Sequence, residues 1–167
     1  MKKNILLTIA FVFITLFSFS QNPSSSGSNQ LNLGVGFSGW GIPVYIGLDH
    51  YITQDLSLGG ELSYRSYHEN WNNNTYNQSI TGISANLNYH FSTILNLPSA
   101  WDLYAGANLG FFIWNTPNTY NGDNHSGLGF GGQIGTRYYL SNRLALNLEF
   151  GGGNAFSGGK FGITIKI

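Results

Sequence analysis

The sequence predicts an all-β protein, and three observations lead to that prediction. Apolar residues alternate with polar or small residues along most of the chain, which is the two-residue period of a β-strand. Only 8% of the 167 residues are charged, whereas 16% are aromatic. Beyond residue 20, no apolar run reaches the length of a membrane-spanning helix. Soluble domains carry about 25% charged residues, so this composition does not suit a surface that faces water on all sides.

The longest alternating stretch lies between Trp101 and Trp114. Its odd positions, from Leu103 to Ile113, are all apolar, and its even positions are polar, small or aromatic. About 13 steps of about 3.3 Å, tilted by about 40°, rise about 33 Å, which is enough to cross a bilayer. The two Trp rings are expected at the membrane interfaces. The alternative is a long strand of a soluble β-sandwich.

Four alternating rows precede this stretch, and each predicts one strand. Their apolar positions run over Leu31–Phe37, Ile42–Leu48, Leu56–Tyr64 and Ile83–Phe91. Short turns are predicted at Ser38–Gly41 and Ile52–Asp55, and a long, Asn-rich loop at Tyr67–Ser79. A connection through Pro98 leads to the fifth strand.

Three further rows follow the fifth strand and bring the predicted total to eight. They run over Leu128–Leu140, Leu144–Phe150 and Phe161–Ile167. A second polar loop, Asn115–Ser126, precedes them, and a tight turn lies at Ser141–Arg143. Both long loops fall at the same end of the predicted strands. Long loops at one end and short turns at the other are typical of outer-membrane barrels.

The position of the charged residues distinguishes a barrel in lipid from a soluble sandwich. Every charge within a predicted strand lies on the polar side of that strand: Asp49, Glu61, Arg65, Asp102, Arg137, Glu149, Lys160 and Lys166. A Lys or Arg that faces lipid at mid-depth costs about 2–4 kcal/mol. The solvent face of a sandwich would carry more charge than this chain has. The pattern therefore predicts an eight-stranded antiparallel up-and-down transmembrane β-barrel.

The N-terminal 20 residues have the features of a signal peptide. Lys2 and Lys3 precede the apolar stretch Ile5–Phe19, and cleavage is expected near Ser20/Gln21; an uncleaved anchor is the alternative. We interpret residues 21–30 as a flexible lead and residues 31–167 as the barrel. Without residues 1–20 the chain has five basic and seven acidic residues and no Cys. This balance argues against nucleic-acid binding, and no disulfide can form.

These features together resemble a known family. The eight alternating rows, the signal segment and the phrases Asp102–Gly110 (DLYAGANLG) and Leu144–Phe150 (LALNLEF) resemble the small OmpA/OmpX-like outer-membrane barrels of Gram-negative bacteria. The resemblance covers residues 31–167. It implies an outer-membrane location, insertion by the barrel-assembly machinery, and contact with outer-membrane lipid and lipopolysaccharide. Members commonly end on Phe, whereas this chain ends on Ile167.

An eight-stranded barrel has room inside only for its own side chains. We predict an interior polar network in which Glu149 bridges Arg137 and Lys160, while Glu61 and Arg65 extend it across the lumen. Structural filling is favoured for this network, and a narrow porin-like channel for small or apolar solutes is the alternative. Glycines of the sixth strand, between Gly129 and Gly135, leave space for lateral passage of such a solute.

The expected function is a structural or surface-interaction role without catalysis. Trp71, Tyr76 and Tyr120 in the two Asn-rich loops are candidate surface contacts, or else anchors at the lipid headgroups. A lipid A-modifying enzyme is the less favoured alternative. His125 and Ser126 are adjacent and would point to opposite faces, and His68 and Glu69 are assigned to the other loop. We expect a monomer with no cofactor and no metal site.

Overall fold

A computed structural model describes residues 26–39, 41–71, 74–115, 126–154 and 156–167. The predicted signal peptide, the first half of the lead and most of the second loop lie outside these residues. The eight strands are β1 (Asn29–Ser38), β2 (Val44–Tyr51), β3 (Leu56–Trp71), β4 (Asn74–His90), β5 (Trp101–Asn115), β6 (Gly127–Tyr139), β7 (Leu144–Gly153) and β8 (Gly158–Lys166). Within the described ranges, no helix has the length and apolar character needed to cross a bilayer.

The strands form one closed antiparallel barrel. Each strand pairs with its neighbour in sequence, and β1 pairs with β8, with Leu33 opposite Ile163. Closure pairs the two strands that would otherwise be sheet edges. The predicted eight-stranded up-and-down fold is therefore confirmed.

The two faces of the barrel wall differ as the alternation predicts. Leu62 and Leu109 lie on the outside and are 51% and 59% exposed, whereas Tyr104 and Arg137 lie inside and are 1% and 2% exposed. Trp101 is on the outer face. Trp114 lies 13 positions further along the same strand, an odd number, and is therefore on the inward side of β5, not at the lipid interface as expected.

Pairs of aromatic rings mark both ends of the outer surface. At the end with the short turns, the rings of Trp101 and Tyr138 have their centroids 4.7 Å apart. At the other end, Phe37 and Phe150 pack edge to face at 6.2 Å. Phe37 belongs to β1 and Phe150 to β7, and β8 lies between these two strands. A β-carbon at Gly159 of β8 would collide with the Phe37 ring. Such belts are typical of the two membrane interfaces.

The predicted loop Tyr67–Ser79 is wrong. β3 and β4 continue to pair as far as Trp71 opposite Asn74, so that only residues 72 and 73 separate them. Aromatic residues and Thr in this segment favour extended backbone, and the cross-strand ladder outweighs the turn preference of the many Asn residues. β1 likewise begins at Asn29, and the preceding Gly27 amide donates to the Tyr51 carbonyl at 2.8 Å.

Candidate functional site

Two layers of charged side chains cross the lumen, and Lys160 is the centre of the first. Its ammonium donates to Glu61 Oε1 and Oε2 at 2.7 and 2.8 Å and lies 3.2 Å from Glu149 Oε1. β7 and β8 place Glu149 directly opposite Lys160. Glu61 reaches the same ammonium from the other side of the lumen. We call these three residues the Lys160 layer.

Two tyrosines support the Lys160 layer. The Tyr104 hydroxyl donates to Glu149 Oε2 at 2.9 Å. The Tyr45 ring has its centre 5.3 Å from Lys160 Nζ, and its hydroxyl donates to Asn147 Oδ1 at 3.1 Å. Tyr104 lies across Gly135 of the neighbouring strand, where a β-carbon would collide with its ring. The absence of a side chain at this glycine therefore lets the large aromatic ring lie against the barrel wall.

Arg137 is the centre of the second layer, nearer the short turns. Its Nη2 donates to Asp49 Oδ2, its Nη1 donates to the Tyr51 hydroxyl at 2.9 Å, and the same Nη1 lies 3.6 Å from Asp102 Oδ2. All three charged groups are buried. A buried charge is tolerated only when it is paired and hydrogen-bonded. We call Asp49, Asp102 and Arg137 the Arg137 layer.

The structure places the residues of the predicted network in the lumen, but one predicted pairing is wrong. Glu149 binds Lys160, as expected, but Arg137 pairs with Asp49 and Asp102 instead of Glu149. The register explains this, because Glu149 is opposite Gly135 whereas Arg137 is opposite Asn147. The Tyr104 ring, which lies over Gly135, fills the space between them. Asp49 and Asp102 were recognised as inward-facing but not as partners.

Arg65, the fifth member of the predicted network, is also buried but is not in either layer. Its guanidinium carbon lies 5.7 Å from the centre of the Phe156 ring, which belongs to the β7–β8 connection. Lys160 Nζ lies 5.4 Å from the same ring. Phe156 therefore sits between two cationic side chains at the end of the barrel where the β3–β4 hairpin lies.

Asp102 of the Arg137 layer also takes part in a chain of hydrogen bonds with an imidazole and a hydroxyl. Ser57 Oγ lies 2.9 Å from His90 Nε2, and His90 Nδ1 lies 2.9 Å from Asp102 Oδ1. This order resembles the catalytic triad of hydrolases. However, the exposure of Ser57 is 0% and that of His90 is 1%. The arrangement is a buried hydrogen-bond network, and its inward parity was the only sequence signal for it.

Among the described residues, the lumen contains three small chambers with volumes of about 30, 20 and 20 Å³. Lys160 lines all three. A volume of this size accommodates only one or two water molecules. In the described part of the chain, chambers of this size at the Lys160 layer do not form a wide pore.

The sequence also matches a family model. Residues 10–164 match the outer membrane protein beta-barrel domain. The chain belongs to this family. Its location is accordingly the outer membrane. A search of curated proteins found no match.

The structure of the chain is similar to solved structures of other outer-membrane barrels. OprG from Pseudomonas aeruginosa is 9% identical, with a TM-score of 0.66, and the match covers 88% of this chain and 99% of OprG. Ail from Yersinia pestis, in a phospholipid bilayer nanodisc, is 8% identical, with a TM-score of 0.56 and coverage of 85% and 100%. Neisserial surface protein A is 15% identical, with a TM-score of 0.53 and coverage of 84% and 94%. At these identities the similarity establishes the fold alone.

The remaining candidate residues of this outer-membrane barrel do not converge on one site. Trp71 ends β3, Tyr76 is a half-buried residue of β4, and Tyr120 lies outside the described residues. His68 is exposed in β3, which also contains Glu69. Ser126 Oγ accepts a hydrogen bond from the Trp114 amide at 2.9 Å, and His125 is not described.

At two of the β6 glycines where lateral passage was predicted, neighbouring groups fill the space. The Tyr104 ring covers Gly135, and Gly131 of β6 is opposite Gly153 of β7, with space for a β-carbon blocked by the Gly152 carbonyl. Beyond this pair, the Asn154 side chain continues the ladder, because its Oδ1 accepts from the Phe130 amide at 2.8 Å. The glycines of β6 therefore allow close packing of neighbouring groups.

Proposed function

We propose that this outer-membrane barrel is a non-enzymatic surface-interaction protein, in which a filled barrel anchors the projecting β3–β4 hairpin. The observation that carries this proposal is the length of the hairpin. β2 stops pairing with β3 at Val44 opposite Tyr64, and β5 stops pairing with β4 at Asn115 opposite Ser79. Past the end of β2, the β3–β4 ladder continues for seven more residues of β3, Arg65 to Trp71. Five of them, residues 67–71, also lie past the end of β5 and extend about 17 Å.

The outer face of the hairpin changes character where it leaves the barrel. Leu62 and Tyr64 are exposed apolar and aromatic residues, whereas the next outward residues, Ser66 and His68, are exposed and polar. Asn77 of β4 is exposed as well. Because a lipid-facing position at membrane depth would be apolar, this change supports a hairpin that stands outside the hydrocarbon layer.

We propose the following route of export and assembly for the protein. Residues 1–20 direct export and are removed near Ser20/Gln21, and the barrel-assembly machinery inserts the chain as a monomer. The apolar outer rows contact outer-membrane lipid and lipopolysaccharide acyl chains. The charged layers and the small chambers support a filler role for the lumen, and the buried Ser57 supports a protein without hydrolase activity.

Cysteine labelling tests the orientation of the hairpin, because the native chain has no Cys. Asn77→Cys in the hairpin should react with a membrane-impermeant maleimide on intact cells. Ser141→Cys, in the turn at the opposite end, should react only after the cells are lysed. Labelling of Ser141→Cys alone on intact cells would contradict the proposed orientation.

A shortened hairpin tests its role. Replacing residues 67–78 with Asn-Gly joins Ser66 to Ser79, which are paired in the native ladder, by a turn that favours tight hairpins. The shortened chain should still show heat-modifiable gel mobility. Cells that display it should no longer attach to surfaces to which cells with the full chain attach. Equal attachment by both chains would exclude the hairpin as the interaction element.

A further inference from the structure

The lumen has a chamber between the Lys160 layer and the end of the barrel that carries the hairpin. We call it the outer vestibule. Its volume is about 30 Å³, and the residues that define its chemistry are Ser63, Ser84, Asn86, Asn108, Phe112 and Phe156. Arg65, which precedes the projecting part of β3, also lines it.

One wall of the outer vestibule is polar and has unused hydrogen-bonding groups. Ser63 and Ser84 lie on neighbouring strands, and Asn86 follows Ser84 on the same face of β4. Among the hydrogen bonds of the described residues, none involves the side chains of these three residues. Other inward amides are bonded to one another or to neighbours, as in Asn32 to Asp49, Asn108 to Gln133, and Gln133 to Asn88.

An aromatic part of the lining adjoins the polar wall. Phe112 of β5 is level with Gly82 of β4, and a β-carbon at this glycine would come within 2.8 Å of the Phe112 ring. Phe156 completes this aromatic part from the β7–β8 connection. It lies outside the strand ladder, so its ring can be displaced without breaking strand pairing.

The charges around the outer vestibule are balanced. Arg65 and Lys160 supply two positive charges, and Glu61 and Glu149 supply two negative charges. Lys160 is already paired with both carboxylates. A charged ligand would have to compete with these contacts while losing its own hydration, which is unfavourable. The balance therefore favours a neutral ligand.

We propose that the outer vestibule binds a neutral polyhydroxylated ligand of the sugar-ring class. Hydroxyl groups of the ligand bond to Ser63, Ser84 and Asn86, which offer both donors and acceptors. The C–H face of the ring packs on Phe112 and Phe156. The enclosed volume holds only one or two waters, so Phe156 moves aside when the ligand enters. The Lys160 layer stops the ligand at this depth, so the site captures it and does not transport it.

The test uses methyl α-D-glucopyranoside as the probe and NMR of the whole barrel in phosphatidylcholine nanodiscs. Glycoside detergents are left out because their headgroups would compete. The probe should shift the signals of Ser63, Ser84 and Asn86 and leave those of His90 and Asp102 unchanged. Gluconate, which is charged, and cyclohexanol, which has one hydroxyl, should not produce these shifts.

A substitution of similar size removes hydrogen bonding from the polar wall. Asn86→Leu should lower the affinity at least about tenfold, because the ligand hydroxyls at this wall lose their partner. Thr81→Val, on the outward face of the same strand, should bind like the native chain. If Asn86→Leu does not give a native-like spectrum, Ser84→Val is the replacement variant with the same expected loss.

Three results would overturn the proposal: no shifts in the native chain, unchanged affinity in the polar-wall variant, or equal shifts with gluconate or cyclohexanol. The hairpin-shortened chain separates this site from the proposed surface role. It should retain the vestibule shifts, since the six defining residues lie outside the removed segment.

Discussion

Lys160 and Glu61 are 99 residues apart in sequence, yet the Lys160 ammonium donates to both carboxylate oxygens of Glu61, at 2.7 and 2.8 Å. The contact crosses the lumen and does not follow the strand ladder. Through Glu61 of β3 and Glu149 of β7, Lys160 of β8 connects three strands, and its side chain lines three chambers of the lumen. The charged side chains of the lumen are therefore part of what holds the barrel together.

Removal of the Lys160 charge should destabilise the barrel strongly. Lys160→Met leaves Glu61 and Glu149 facing each other without a cation, and breaking a buried pair in this way costs about 3–5 kcal/mol. The free energy of unfolding, measured by urea titration in phospholipid vesicles, should fall by about that amount. Lys166→Met, at the barrel mouth, is the matched control and should change stability by less than about 0.5 kcal/mol.

Restoring neutrality should recover much of this loss. In the triple variant Lys160→Met, Glu61→Gln, Glu149→Gln, no uncompensated charge remains in the layer. Its unfolding free energy should lie well above that of Lys160→Met alone. If the triple variant were as unstable as the single variant, lost packing rather than lost charge pairing would explain the effect.

The space at Gly135 should be essential for the position of Tyr104. A β-carbon at Gly135 would collide with the Tyr104 ring, so Gly135→Ala should displace the phenol from Glu149 and cost about 1–3 kcal/mol. Gly132 lies on the outward face of the same strand, and a β-carbon there would meet its nearest atom at 3.7 Å. Gly132→Ala should therefore leave the urea midpoint almost unchanged, and an equal loss in both variants would point to backbone effects.

The Ser57–His90–Asp102 arrangement should have no hydrolytic role. Because Ser57 is fully enclosed, Ser57→Ala should leave outer-membrane lipids unaltered in mass spectra of cells that produce either chain. The variant removes a buried hydrogen bond, so a small stability loss of about 1 kcal/mol is expected. A change in lipid A mass that depends on Ser57 would show that the serine is reached by substrate.

The lumen should not conduct ions freely. Two charged layers and chambers of about 20–30 Å³ divide it, so the native chain in planar bilayers should show no large, steady conductance. Lys160→Ala, with Glu61→Gln and Glu149→Gln to keep the layer neutral, removes side-chain volume and should raise conductance. Large, steady currents through the native chain would contradict the filled-lumen description.

The fold could be predicted from the sequence because one physical cause acts on every strand. Hydrocarbon excludes charge from one side of each strand, so parity alone identified the inward position of residues such as Arg137 and Glu149. The pairing of these residues could not be predicted, because a two-residue shift in register decides whether Arg137 is level with Glu149 or with Asn147.

The errors have similar physical origins. The projecting hairpin was predicted as a loop because Asn-rich composition gives a turn signal, whereas cross-strand pairing from Arg65 to Trp71 depends on contacts that a single strand does not reveal. The Ser57–His90–Asp102 network was missed because its three residues come from three strands. Only the closed barrel brings them together.

Hydrocarbon surrounds the apolar row of each strand, and the membrane-spanning barrel depends on this contact more than on any other. Single cysteines carrying spin labels at positions 103 to 113 of β5, in nanodiscs, test it directly through collision rates with oxygen and with a water-soluble nickel complex. We predict a two-residue period, with Leu109→Cys accessible to oxygen and protected from nickel, and with Asn108→Cys protected from oxygen. Nickel access at Leu109 equal to that at Ser66→Cys in the hairpin would contradict the membrane-spanning barrel.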